Sequence, residues 1–202
     1  MHTGIKFILV STSISRKKML KNVGLKFKQL KPNCNEEKYK KKLLNKKKHP
    51  KKISLELSKL KAKSLCGLQK NILFVGADST ISFSGRLVEK AKNTKEAEKK
   101  LKALSGQKHQ IYSSASAYFN NKLVWYKTQK TEVKIRKLKK SEIEEYLKKS
   151  GNNILRSVGC YEIEKKGPII IENIRGDFFN VMGFPLFPFL SFLKEFNIKK
   201  QI

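Results

Sequence analysis

Ser11-Thr12-Ser13-Ile14-Ser15-Arg16-Lys17-Lys18 is a run of hydroxyls that opens onto a basic segment, directly after the apolar, β-branched stretch Ile5 to Val10. The pattern predicts a buried strand turning into a helix, because Leu20 and Val23 follow Arg16 at helical spacing and Gly24 can close the helix. Ser11, Ser13 and Ser15 then sit at or near the helix start. Unpaired N–H groups and the positive end of the macrodipole favour a phosphate there, and Arg16 would add a planar, permanently charged fork. The same serines equally suit plain helix capping, so both readings stay open at this point. A second candidate is Asp78: Ile72 to Ala77 predicts another buried strand ending at Asp78-Ser79-Thr80. A carboxylate just past the C-terminal end of a central strand borders a ligand crevice.

The elements that must position these groups follow from periodicity. Phe27 to Pro32 reads as a short strand and Asn33 to Glu37 as a polar loop. Lys38 to Lys52 holds nine lysines and reads as a mobile, solvated loop or a frayed helix rather than a binding patch. Ile53, Leu57 and Leu60 then mark one face of a helix that carries Lys61. Ser84-Gly85-Arg86 predicts a turn, Lys90 a loop, and Ala97, Leu101 and Leu104 a helix opened near Thr94 and stopped at Ser105-Gly106. His109 to Phe119 and Lys122 to Tyr126 flank Asn120-Asn121 as a hairpin, with Thr131 to Lys137 as a further antiparallel partner. Ser141 to Glu144 has the form of a capping box before a helix that ends at Gly151. A Pro168 to Ile174 strand and a buried C-terminal helix complete the chain. His109 reads as a hydrogen-bonded structural histidine, and Trp125 as a hairpin core or surface residue. The order predicts one α/β domain over residues 1–202, with a mixed central sheet flanked by helices.

Composition narrows the classes. The chain has 202 residues and a formal charge of +30, with 46 Lys+Arg against 16 Asp+Glu. Such a charge attracts any polyanion. The cations are mostly lysines spread from Lys6 to Lys200 rather than arginines gathered on one element, which favours a solvated surface over a nucleic-acid footprint. Cys34, Cys66 and Cys160 lack CxxC spacing, so neither a disulfide framework nor a zinc site is indicated, and a reducing cytoplasm is expected. The most apolar part, Phe178 to Leu193, is too short to span a membrane and contains Pro185 and Pro188.

In this order the segments resemble the Maf family of nucleoside triphosphate pyrophosphatases, also known as septum-formation-inhibitor-like proteins, from about Ile8 to Leu190. The resemblance is carried by Ser11 to Arg16, Asn35-Glu36, Lys61-Ala62, Gly76-Ala77-Asp78-Ser79, Lys90, Leu104 to His109 and Gly176 to Leu186. It implies an elongated two-lobed architecture around a central cleft and a cytoplasmic enzyme, a homodimer in the family fold. Its substrate would be a noncanonical, modified or surplus nucleoside triphosphate, cleaved between the α and β phosphates with Mg²⁺ or Mn²⁺. By resemblance, Ser11, Ser13, Arg16, Lys61 and Lys90 would hold phosphate oxygens. Glu36 and Asp78 would bind the metal, with Asp78 alternatively taking the proton of the attacking water, and Glu164 is a third carboxylate. The family's K-A-G-x-Y-x-I-Q segment is blurred here into Arg156 to Glu164, so 7-methyl-GTP and dTTP/UTP both stay open as substrates. A rival reading is a basic nucleic-acid-binding or cell-division regulatory protein with a decayed site.

Overall fold

The computed structural model describes residues 6–198. Its seven-stranded mixed sheet runs β2 (Phe27–Leu30), β1 (Phe7–Val10), β3 (Leu73–Phe83), β5 (Lys108–Phe119), β6 (Lys122–Ile135) and β7 (Ile171–Arg175), with β4 (Arg86–Val88) paired to β3. Strand β1 is parallel to β2 and β3, and every other pairing is antiparallel. The helices are α1 (Ile14–Asn22), α2 (Glu36–Asn45), α3 (Pro50–Lys63), α4 (Thr94–Leu104), α5 (Lys140–Ser150), α6 (Phe178–Val181) and α7 (Leu186–Ile198). Among the described residues, no helix is long and apolar enough to cross a membrane.

Alternation along the strands sorts side chains onto two faces. Ile8, Val10 and Phe74 pack against Ala62 and Leu65 on the α3 side, while Phe7, Leu9, Leu73 and Val75 pack against Phe184, Phe189 and Leu193 on the other. Beyond them, the far ends of β3, β5 and β6 contribute Ile81, Ile111 and Val133 to a separate core with α4 and α5. Trp125 stacks on Phe192 at 5.0 Å between centroids, so the indole anchors the C-terminal helix to the hairpin.

Helix α3 lies unusually close to the sheet because the facing residues are small. A Cβ on Gly76 would stand 2.3 Å from the Ser58 carbonyl oxygen and 2.5 Å from the Ala62 nitrogen. The hydroxyls below bond in pairs, Ser54 to Ser114 at 2.8 Å and Ser58 to Ser116 at 2.7 Å, so the polar contact is satisfied although buried. This approach brings Lys61, near the end of α3, over β3.

Several sequence expectations change. Strand β3 does not end at Ala77 but continues to Phe83, because β5 pairs with it from Leu73↔Phe119 through Ser82↔Gln110. Asp78 is therefore mid-strand. The strand that ends here is β1, whose last pair is Val10↔Gly76, so Asp78 borders the crevice left by its departing parallel neighbour. Lys122–Ile135 is one strand rather than two, since Lys127 to Lys130 contains no turn former and stays paired to β5. The run Lys38 to Lys52 is helical on both sides of a short break. Asn35 caps α2, and Leu43, Ile53 and Leu57 form a small core that fixes α2 on α3. In α5 the capping carboxylate is Glu142, which accepts the Lys139 N–H at 2.7 Å, and Ser141 lies inside the helix. Strand β7 starts only at Ile171, after a 3₁₀ turn at Gly167–Ile169.

Gly76→Ala should cost about 1–3 kcal/mol, as overpacking does when backbone must move. Urea unfolding of the variant measures it; a midpoint equal to wild type would show that α3 retreats freely from the sheet.

Candidate active site

The loop after β1 is tied down from both sides before it becomes α1. The Ser11 N–H donates to the Leu30 carbonyl at 3.0 Å, and Gln29 Nε2 donates to the carbonyls of Ser11 at 2.7 Å and Ser13 at 3.1 Å. Ser13 is the N-cap of α1, its Oγ accepting the Arg16 N–H at 3.3 Å, and Ser11 Oγ accepts the Ser13 N–H at 3.2 Å. The first-turn N–H groups of Ile14 and Ser15 have no intrahelical carbonyl to meet, which leaves them for an anion.

Arg16, expected as a planar, permanently charged fork, turns its guanidinium inward. Its Nε donates to the Gly183 carbonyl at 2.8 Å, Nη1 to Ser11 Oγ at 3.2 Å and the Ala77 carbonyl at 2.9 Å, and Nη2 to Ser79 Oγ at 3.0 Å. Four of its five N–H donors are thus committed to the protein. Burial lowers the guanidinium below its ordinary value, while the Asp78 and Glu36 carboxylates counteract that. Arg16 reads as a buried clamp joining α1, β3 and the Gly183 turn.

Lys61 Nζ lies 2.6 Å from Asp78 Oδ1 and 2.8 Å from Glu36 Oε2, with only 8% of its side chain exposed. Glu36 reaches this point from the first turn of α2. Asn35 Oδ1 caps that helix by accepting the Lys38 N–H at 2.9 Å, a task that Asn and Asp perform alike, so only the second residue of the Asn35-Glu36 pair enters the site. These groups line a cleft of about 620 Å³. Every residue expected of the site lines it: Ser11, Ser13, Arg16, Glu36, Lys61, Asp78, Lys90 and Glu164. Lys90 is exposed, and Glu164 accepts a hydrogen bond from Ser15 Oγ. Among the described residues no group of three His, Cys, Asp or Glu gathers as a metal cluster. Glu36 and Asp78 supply two converging carboxylates.

Sequence reasoning missed the supports. Asn180, fully buried, accepts the Ser113 N–H at 3.2 Å and donates to the Ile111 carbonyl at 3.2 Å and Thr131 Oγ1 at 2.8 Å. Asp177 caps α6, and Gly183 (φ +106°) turns its carbonyl to both Arg16 and Ser79. The Gly176 to Leu186 string carried these residues as a pattern, without their task. Lys18 also lines the cleft and was not singled out for the site, whereas Tyr161 and Glu162 line it from within the Arg156 to Glu164 segment that the resemblance implies for the nucleotide pocket.

His109 has the structural role expected of it. Fully buried, it places Nε2 2.6 Å from the Tyr161 hydroxyl, and burial lowers its pKa to about 4 and raises that of Tyr161. The neutral pair props the wall of the cleft.

An α/β protein with a polyanion-ready cleft, where buried cations and carboxylates meet at the end of a parallel strand pair, is the class this geometry defines. The family model described as Maf-like protein matches residues 6–196, and the chain belongs to the Maf family. Relatives include the 7-methyl-GTP pyrophosphatase of Bartonella henselae, 34% identical over 191 residues, covering 95% of this chain and 96% of the relative. A nucleoside triphosphate pyrophosphatase of Caulobacter vibrioides is 32% identical over 92% of this chain and 93% of its own length. One from Pelagibacter ubique is 32% identical over 94% and 97%.

The folded-state pKa of His109 lies below its ordinary 6.5, so its stabilising contribution is complete above about pH 6.5. It is lost as the pH falls toward 4, because the unfolded chain takes up a proton that the folded chain excludes. The loss approaches about 3 kcal/mol. Urea unfolding of wild type and His109→Gln between about pH 4 and 7 measures it; identical pH slopes would assign the acid sensitivity elsewhere.

Proposed function

We propose that this chain is a nucleoside triphosphate pyrophosphatase, hydrolysing the bond between the α and β phosphates to release the monophosphate and pyrophosphate. The observation that carries the reading is the meeting of Lys61, Glu36 and Asp78 beside the anion-ready start of α1, in one cleft. The names of the relatives support the same reaction; one specifies 7-methyl-GTP and the other no particular base. The free thiols of Cys34, Cys66 and Cys160 fit a reducing cytoplasm.

The residues divide the work by chemistry. Ser11, Ser13 and the first-turn N–H groups of α1 take phosphate oxygens, with Lys61 and Lys90 neutralising the charge that grows on them. Arg16 holds that loop rigid from below. Asp78 Oδ1 is engaged by Lys61 before a nucleotide enters, and Oδ2 is the oxygen placed to accept the proton of the attacking water. As the water oxygen bonds to the α phosphorus, the bond to the bridging oxygen breaks and pyrophosphate departs. Glu164, held by Ser15, flanks the start of α1.

Two carboxylates beside a phosphate-holding loop suit Mg²⁺ or Mn²⁺, which prefer oxygen ligands and commonly take one or two carboxylates plus substrate phosphates. Glu36 and Asp78 are the residues to hold such an ion. When bound, it supplies charge neutralisation and a more acidic water.

Pyrophosphate release from dTTP, UTP, 7-methyl-GTP and ITP, with Mn²⁺ or Mg²⁺ and then with a chelator, tests the reading. Metal-dependent release from at least one is expected, and release from none returns the chain to the class of basic binding proteins. Asp78→Asn should lower turnover by about a hundredfold or more with the fold intact by circular dichroism. Turnover near wild type would place the chemistry on another residue.

A further inference from the structure

A single ammonium stands where both site carboxylates converge. Lys61 Nζ is within 2.8 Å of Glu36 Oε2 and 2.6 Å of Asp78 Oδ1, and these oxygens are also the ones that would hold a divalent cation. Asp78 is only 14% exposed, so charges here interact more strongly than in water. Arg16 adds a second positive charge that cannot leave, since its donors are fixed to Gly183, Ala77, Ser11 and Ser79 and its field reaches Asp78 and Glu36. A bare divalent ion entering this pair meets two resident cations.

We propose that Lys61 is the resident counter-cation of the Glu36 and Asp78 carboxylates. The pair accepts a divalent ion only together with a nucleotide, when Lys61 Nζ transfers from the carboxylates to phosphate oxygens. The nucleotide half of this proposal rests on the pyrophosphatase reading; the metal half rests on the geometry of Lys61 alone. The transfer is local, because Lys61 and the Ser11 to Arg16 loop line the same cleft and the lysine stem is flexible. It also keeps every buried charge paired, whereas a metal arriving alone would strand the ammonium. A metal–nucleotide complex retains a net charge of about −2, which the rim lysines Lys18 and Lys90 can match. Lys61 thereby orders the binding events.

The test is Mn²⁺ binding to the full chain without nucleotide, read from the paramagnetic resonance of the free ion. Lys61→Met should bind Mn²⁺ at least about tenfold more tightly than wild type, and Lys61→Arg, which keeps the charge, should bind as weakly as wild type. Adding a non-hydrolysable nucleoside triphosphate should tighten Mn²⁺ on wild type by about tenfold or more, beyond what the same nucleotide binds without protein, and narrow the gap to Lys61→Met. Equal affinity of wild type and folded Lys61→Met overturns the proposal, as does Lys61→Arg binding as tightly as Lys61→Met. Where Lys61→Met fails to fold by circular dichroism, wild type decides: Mn²⁺ affinity that a bound nucleotide leaves unchanged overturns the proposal. None of these readings uses turnover, so a chain that shows the Mn²⁺ difference yet cleaves no nucleotide refutes the pyrophosphatase reading alone.

Discussion

Arg16 and Lys61 bring two positive charges into the protein where β1 ends, and Glu36 and Asp78 bring two negative ones. An uncompensated buried ion costs several kcal/mol even after relaxation, so Arg16, Lys61 and Asp78 are tolerable only when compensated, and the half-exposed Glu36 completes the balance from the cleft side. Each sits on a different element: α1, α3, the first turn of α2, and β3. The requirement that these charges meet therefore fixes how three helices approach the sheet. A pair placed on one helix surface would have fixed nothing of the kind, since exposed ion pairs contribute little.

Two polar devices hold the set in place. Under α3, Gly76, Ser58, Ala62, Ser114 and Ser116 replace the usual apolar bulk with close backbone contact and paired hydroxyls, which lowers Lys61 onto Asp78. On the opposite side, Asn180 ties the Asp177 to Gly183 segment to β5 and β6, and the Gly183 carbonyl then meets Arg16 and Ser79. Both devices leave a buried group unpaired if a single partner is lost. That asymmetry makes a satisfied network specify one geometry more sharply than apolar packing does.

The sequence revealed much of this and missed the rest for identifiable reasons. Strands β1 and β5 and helix α4 were readable from apolar periodicity, and the Asn120-Asn121 hairpin from its turn residues, whose φ values are +46° and +64°. The length of β3 was not, because Asp78-Ser79-Thr80 looks like an exit while its actual partner, β5, is equally rich in small polar residues. Helix α2 was left undecided between a loop and a frayed helix, since among its lysines only Tyr39, Leu43 and Leu44 mark its inner face. The site residues were named by motif, but the inward turn of Arg16 depends on carbonyls of Ala77 and Gly183, which no side-chain pattern encodes.

The excess of lysine bears on how this cleft is found rather than on what it selects. Charges spread over the surface act through solvent and are screened beyond about 8–10 Å at ordinary ionic strength, so they raise the encounter rate of any polyanion. Lys61 differs from the exposed lysines in burial and in being fixed by two carboxylates. A nucleic-acid backbone bound at the surface offers phosphates to exposed lysines but need not enter the crevice at the end of β1. A triphosphate can enter it, because its charge is concentrated at one end and can face the start of α1 and Lys61 together. The same +30 chain can therefore attract many anions and still admit few to the carboxylates.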